Sequence, residues 1–237
     1  MLPLIIKSPD LIAKERTYSI GLDGCRGGWV ATSINNKGEV SVDHVKELSS
    51  YLSSQPKEAV ILADMMLNLD NSGEPRRFDC HTRKLLGKWH SRCFTAPPKK
   101  ALEAEDYRAA CEISFSICGK KISKQCYNLF PKIRELALLK DNRLIEFHPE
   151  IAFMLLNENH LIQESKKTSE GINIRMALLQ KIIPGFSSLT EHIDSSNAKV
   201  DDLLDSAALA VVAKGGSYKN FMDDLNKVQI NQDFPRA

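Results

Sequence analysis

Acidic residues stand at four places where a fold could gather them. Asp23 lies between glycines in GLDGCRGGWV, Asp64 closes the apolar run AVILAD, Glu150 follows the proline of RLIEFHPE, and Asp201, Asp202 and Asp205 open VDDLLDSAALAVVAK. On a helix, Asp202 and Asp205 stand three apart and Asp201 and Asp205 four apart, so at least two carboxylates share a face. Carboxylates that close repel one another and need a compensating cation. Acids from two strand ends with a pair from a late helix suit two divalent ions. Each acid also has an ordinary use. Asp201 and Asp202 fit a helix start, where free N–H groups and the dipole favour acids, and for Asp202 alone that use is the stronger. Asp23 could serve a glycine turn, and Asp64 a loop start.

The elements that must position these acids follow from periodicity. YSIGLDG places Tyr18, Ile20 and Leu22 on one face and Ser19, Gly21 and Asp23 on the other, as in a half-buried strand. WVATSIN and EVSVDHV follow, with Asn36 and Gly38 supplying turn chemistry, so three antiparallel strands in succession are expected. KELSSYLSSQ reads as a helix and AVILAD as a buried parallel strand. Glu74 to Asn142 carries helical patterns around FDCHTRKLLGKW, ALEAEDYRAACEISFSIC and SKQCYNLFPKIRELALLK, interrupted by TAPPKK, and reads as a helical insertion. RLIEFHPE returns to strand, ended by Pro149. INIRMALLQKII is helical, PGFSSLTEHIDSSNAK a linker, and VDDLLDSAALAVVAK a helix with a buried stripe at Leu204, Ala208 and Val211. Its alanines and Ser206 allow close approach to a sheet.

Composition bounds the context. With 237 residues and 43% hydrophobic content the chain can bury one sizeable core. The expected organisation is an arm at residues 1–17 and a single domain at 18–237, with the insertion at about 74–142. A net charge of +2, from 32 basic and 30 acidic residues, gives no global pull toward polyanions. A nucleic-acid surface would have to be local, and Lys99, Lys100, Lys120, Lys121 and Lys124 of the insertion are the densest lysine groups to supply one. The six cysteines, at 25, 80, 93, 111, 118 and 126, form no CxxC pair and read as reduced thiols of a cytoplasmic protein. Those at 111, 118 and 126 read as core filler, and Trp29 as packing. The apolar run at the N-terminus is too short and too broken to span a bilayer, so no membrane association is expected.

Taken in order, GLDGCRGGWV, ILADMMLNL, RRFDCHTRKLLG, SRCFTAPPKKAL, EFHPEIAF, KKTSEG with Arg175, and DDLLDSAALA resemble the family of domain of unknown function 429. Its members are predicted RNase H-like nucleases. The resemblance implies a mixed five-stranded RNase H-like sheet. Its first three strands are antiparallel, its fourth and fifth run parallel to the first, and helices cover both faces. RuvC-like resolvases of the wider superfamily carry an acid on the first strand, one ending the fourth, and an Asp-x-x-Asp pair on a late helix. Here these are Asp23, Asp64, and Asp202 with Asp205. The implied chemistry is two-metal hydrolysis of a nucleic-acid phosphodiester with Mg2+ or Mn2+, Asp23 bridging and Asp64 and Asp205 completing the metal ligands. Glu150 joins the catalytic acids. Lys166, Lys167 and Arg175 could meet phosphates, His148 could orient a water or ligand, and Arg83 could contact substrate.

The chain departs from the family pattern in two places. DMMLNL stands where relatives show Asp-Ile-Pro-Ile-Gly-Leu, and RRFDCHTRK keeps Asp79 and Arg83 among altered neighbours. Thr168 also fits a helix cap, and Asp79 with Arg83 an ordinary i, i+4 ion pair. Two other functions stay open. One is a catalytically silent RNase H-like module that binds nucleic acid or protein. The other is a nucleotide phosphotransferase of the actin-like ATPase type, whose acid-glycine hairpin DGCRGG resembles. That reading needs a second such hairpin, and glycine is scarce after Gly119.

Overall fold

The computed structural model describes residues 6–7, 17–191 and 197–227. Apart from Ile6, Lys7 and Thr17, the expected arm lies outside the described residues. The chain divides into two compact units, one of Met1–Met65 with Asn142–Asn220, the other of Met66–Asp141 with the segment from Phe221 on.

The first unit is built on one sheet. Its strands are β1 (Ile6–Lys7), β2 (Ser19–Cys25), β3 (Gly28–Ile34), β4 (Glu39–Val45), β5 (Val60–Ala63) and β6 (Leu144–Glu146), in the spatial order β1-β4-β3-β2-β5-β6. β2, β3 and β4 form the expected antiparallel meander, while β5 runs parallel to β2 and β6 parallel to β5. The five-stranded topology expected from the sequence is therefore present. β1 adds a short sixth strand that pairs antiparallel at the β4 edge, Ile6 opposite Val40.

Two local readings change. β2 is covered on both faces rather than one, because Ile20 and Leu22 are fully buried on one side while Ser19 and Asp23 are buried on the other. The β3–β4 turn is organised by Asn35, whose side-chain oxygen accepts from the N–H groups of Lys37 at 2.8 Å and Glu39 at 3.0 Å. Gly38 takes the positive φ of 73° that the turn requires, as expected, while the side-chain bonds come from Asn35 and not from Asn36.

Helix α1 (Leu48–Ser54) links β4 to β5. Helices α6 (Pro149–Leu156), α7 (Ser169–Ile182), α8 (Phe186–Thr190) and α9 (Val200–Gly215) follow β6, and α8 interrupts the segment expected to be a linker. The strand read into RLIEFHPE ends at Glu146. Pro149 instead opens α6, where its missing N–H costs nothing.

Helix α9 lies against β2, β3 and β5 and against α6 and α7. Every residue from Leu203 to Lys214 is buried, so its apolar surface is wider than the stripe through Leu204, Ala208 and Val211. Gly21 makes this approach possible. A Cβ there would stand 1.9 Å from the Ser206 carbonyl oxygen and 2.5 Å from the Ala210 nitrogen. Thr32 and Ser206 hydroxyls, 2.8 Å apart, tie α9 to β3 as well. The small residues of SAALA thus set the depth at which Asp205 meets the sheet.

The second unit, whose first segment is Met66–Asp141, is built of helices. It holds α2 (Arg77–Leu86), 3-10 helices at Gly87–Arg92 and Lys99–Glu103, α3 (Tyr107–Cys118), α4 (Lys124–Asn128) and α5 (Phe130–Leu139). The single helical pattern of SKQCYNLFPKIRELALLK is broken into α4 and α5 near Pro131, which cannot donate to a continuing helix. Phe221 of α10 (Tyr218–Lys227) packs its ring 5.7 Å from Phe78 and 4.9 Å from His81.

Candidate active site

Asp23 stands two residues beyond Gly21 on β2, so its side chain leaves the same sheet face, the one covered by α9. Asp64 directly follows β5, and its backbone N–H donates to the Leu22 carbonyl at 3.0 Å, extending the parallel ladder one step past the strand. Asp205 lies one turn into α9 and is 1% exposed. These three carboxylates, far apart in sequence, act on one another electrostatically in one place. Burial first, then Asp64 and Asp205, push the Asp23 carboxyl well above the ordinary carboxylate range. Burial also raises Asp64. Burial lifts Asp205 to about 7, against the pull of Lys166 and with Asp64 and Glu150 adding to the rise.

One cation stands among them. The Lys166 ammonium donates to Asp205 Oδ2. Burial works against its charge, but Asp205, Asp23 and Asp64 outweigh that and raise its pKa. Lys166, read from sequence as a phosphate contact, is thus placed on the acids themselves. Its neighbour Lys167 is exposed, its backbone N–H donating to Ser165 Oγ at 3.3 Å.

Arg175 cannot meet a phosphate, because it is fully buried and committed. Its Nη2 donates to both oxygens of Glu150, at 3.0 and 2.8 Å, and its Nη1 to the carbonyls of Glu164 at 3.2 Å and Gly171 at 3.0 Å. Its guanidinium also stacks 5.3 Å from the Phe153 ring centroid. Glu150 is held in that pair, so its charge is answered where it stands. His148 caps α6, its Nδ1 accepting from the Glu150 N–H at 3.2 Å. Asp202 takes the helix-start role, its Oδ2 accepting from the Lys199 N–H at 2.8 Å, although its charge still reaches Asp23. Thr168 caps α7, accepting from the Gly171 N–H at 3.2 Å.

Arg83 belongs to the second unit, where its guanidinium donates to the Cys93 carbonyl at 3.2 and 2.9 Å and to Thr95 Oγ1 at 2.6 Å. The i, i+4 pair with Asp79 does not form. Asp79 faces Arg76 at 3.4 Å and accepts from the Ala96 N–H at 3.1 Å, which ties α2 to the loop carrying the Pro-rich stretch.

The sequence from Gly21 onward matches a family described as "Protein of unknown function (DUF429)" over residues 21–226. The chain belongs to the DUF429 family. Curated proteins and solved structures yield no match to it. All three clustered acids of this DUF429 chain, and Lys166, fall within the matched span.

Would these residues suit a divalent cation? In kind they do, since carboxylate oxygens are the ligands Mg2+ and Mn2+ take. In charge they do as well. Asp23, Asp64 and Asp205, fully ionised, carry three negative charges against one from Lys166, and the remainder is what one divalent ion neutralises. Among the described residues no three His, Cys, Asp or Glu side chains already converge as a finished ligand set. The carboxylates would have to close in by side-chain rotation.

Proposed function

We propose that this DUF429 chain is a metal-dependent hydrolase of nucleic-acid phosphodiester bonds, working with Mg2+ or Mn2+ at Asp23, Asp64 and Asp205. The observation that carries the reading is the gathering of three carboxylates at the ends of β2 and β5 beside α9, with Lys166 as their cation. Such a cluster raises its own cost of ionisation and lowers it again when a cation arrives, which is the electrostatic pattern of a binding centre. The chemistry that such an ion supplies when bound is activation of a water and stabilisation of the leaving oxygen. The chain's part is to hold Asp23 on the rigid central strand and to keep Asp205 dry against the sheet. Glu150 and Arg175 act behind the site as a fixed support.

The charge distribution supports a polyanionic substrate. Residues 66–141 hold 15 Lys and Arg against 9 Asp and Glu, whereas the rest of the chain holds 17 against 21. Between Asp79 and Glu103 there is no acid at all, while Arg83, Lys84, Lys88, Arg92, Lys99 and Lys100 fall in that run. Within it Trp89 carries the Arg92 guanidinium 4.3 Å and the Lys88 ammonium 5.3 Å from its ring centroid. Lys124 lies 4.4 Å from Tyr107 and 5.0 Å from Tyr127. Basic side chains interleaved with aromatic rings suit a nucleic-acid strand. The near-neutral total conceals this segregation.

The second reading, a binding module without catalysis, is favoured by the Lys166 to Asp205 contact, which already offsets part of the acidic charge. Incubation of labelled DNA and RNA with the protein, with Mn2+ or with chelator, separates the two. Cleavage that needs the metal and disappears in Asp23→Asn supports the hydrolase. Retention of nucleic acid without cleavage under every metal condition supports the binding module.

A further inference from the structure

Phosphodiester hydrolysis on an acidic site is commonly served by two cations, one beside the attacking oxygen and one beside the leaving oxygen. Lys166 changes that arithmetic. With its ammonium in place, one divalent ion brings Asp23, Asp64 and Asp205 to neutrality, and two would leave an excess of two positive charges in a buried place. We infer that Lys166 takes the position of the second cation, so that the site binds a single divalent ion beside a tethered ammonium. This inference rests on the hydrolase reading above and specifies its cation count.

The tether is the reason Lys166 is more than a passing counter-ion. The segment that carries it is fixed at both ends. On one side, Arg175 Nη1 holds the Glu164 carbonyl at 3.2 Å, two residues before Lys166. On the other, Thr168 Oγ1 donates to the Ser165 carbonyl at 2.9 Å and the Thr168 N–H to the same oxygen at 3.0 Å. The segment is also pressed against the start of α7. A Cβ on Gly171 would stand 2.0 Å from the Ser165 carbonyl oxygen, so only glycine lets the backbone lie there. Arg175 is itself locked by its two bonds to Glu150. Two residues read from sequence as catalytic and substrate-binding thus act together as positioning residues for a third. A lysine supplies a compact point charge with three donors, able to offset charge on a phosphate oxygen as a metal does, but unable to leave the site.

Mn2+ binding to the full chain tests this without reference to turnover. Equilibrium dialysis gives the stoichiometry, and electron paramagnetic resonance distinguishes an isolated Mn2+ from a spin-coupled pair. The expected result is one Mn2+ per chain for the parent and for Lys166→Arg. Lys166→Met should bind two, with a coupled spectrum, and take up the first at least about tenfold more tightly than the parent. Two coupled Mn2+ ions in the parent overturn the inference and leave the hydrolase reading standing. One ion in both parent and Lys166→Met, at equal affinity, overturns it likewise. No Mn2+ bound by either protein overturns both together. The parent's own stoichiometry decides the matter if Lys166→Met fails to fold.

Discussion

The Asp205→Asn substitution separates a strained carboxylate from a merely structural one through the pH dependence of stability. Asp205 sits at about 7 in the folded protein, against an ordinary 3.8. The folded state therefore holds a proton that the unfolded chain has released between those values, and stability must fall as pH rises through that window. Linkage gives a cost of about 2 kcal/mol at pH 5 and roughly 4 kcal/mol at pH 8, so that between these pH values Asp205 removes about 2 to 3 kcal/mol from the parent. Asn cannot ionise and loses this slope. The pull of Lys166 on the ionised carboxylate is already contained in the value of about 7, so its loss does not alter this difference in slope. Urea unfolding in chelator at the two pH values measures the quantity directly. The expected outcome is that the parent loses about 2 to 3 kcal/mol more than Asp205→Asn on going from pH 5 to pH 8. Equal losses, or a steeper fall in the variant, would show that Asp205 is not held protonated by its surroundings and would refute the electrostatic reasoning behind the site.

Other substitutions probe the parts that hold this centre together. Asp23→Asn should leave the protein without metal as stable as the parent or slightly more so, and should abolish the Mn2+-induced rise in Tm that preferential binding to the native state gives the parent. A loss of more than about 1 kcal/mol without metal would instead assign Asp23 to the turn, through its bond from the Gly24 N–H. Gly21→Ala should destabilise by about 1 to 3 kcal/mol or more, because its Cβ cannot share space with the Ser206 carbonyl, and should weaken Mn2+ binding by displacing Asp205; an unchanged Tm would contradict the close packing. Arg175→Met should cost about 3 to 5 kcal/mol by leaving Glu150 buried and unanswered, and the added Glu150→Gln change should recover part of it; a cost below about 1 kcal/mol would mean that the pair is not truly desolvated. Replacing Lys99, Lys100, Lys120, Lys121 and Lys124 together by Gln should weaken nucleic-acid binding and flatten its dependence on salt, and an unchanged slope would place the surface elsewhere.

What was legible in the sequence was whatever a local period encodes. Alternation in YSIGLDG put Gly21 and Asp23 on one face, and the structure lays α9 on that face. The three-residue spacing of Asp202 and Asp205 marked a helix, yet only the structure divides their labour, Asp202 to the backbone at the helix start and Asp205 to the buried centre. Spacing alone cannot make that division, because it depends on which side of α9 meets the sheet. The pairing of Arg175 with Glu150 had no local signature. Both are charged residues on separate helices, and their complete burial is a tertiary outcome. The charge of Lys166 was visible, but the side it serves was not, since KKTSEG reads as a solvated turn ahead of a helix cap. Gly171, at the first turn of α7, was the one available hint, because a glycine in a helix start asks what backbone passes beside it. Asp79 shows the opposite error. The i, i+4 rule pointed to Arg83, but its guanidinium donates to the Cys93 carbonyl and the Thr95 hydroxyl of its own unit and leaves Asp79 to Arg76 and Ala96.

Stability alone gives no reason for Asp23 to be an acid. It is 7% exposed on the central strand, and its carboxylate accepts from the N–H of its own neighbour Gly24 at 2.8 Å, a bond that Asn or Ser could make without charge. In return the fold accepts the desolvation of Asp23 and its repulsion by Asp64 and Asp205. Lys166 offsets only part of that repulsion, and its own ammonium is desolvated in doing so. A chain selected for packing would remove the conflict with one amide. The fold keeps the conflict instead: Gly21 lets α9 down onto Asp23, while Arg175 and Gly171 fix the segment whose Lys166 relieves the repulsion only in part. The repulsion that Lys166 leaves uncompensated is what a further cation would relieve by entering. That residual repulsion is a cost to the integrity of the fold, and it is the quantity that the proposed metal-binding role would use.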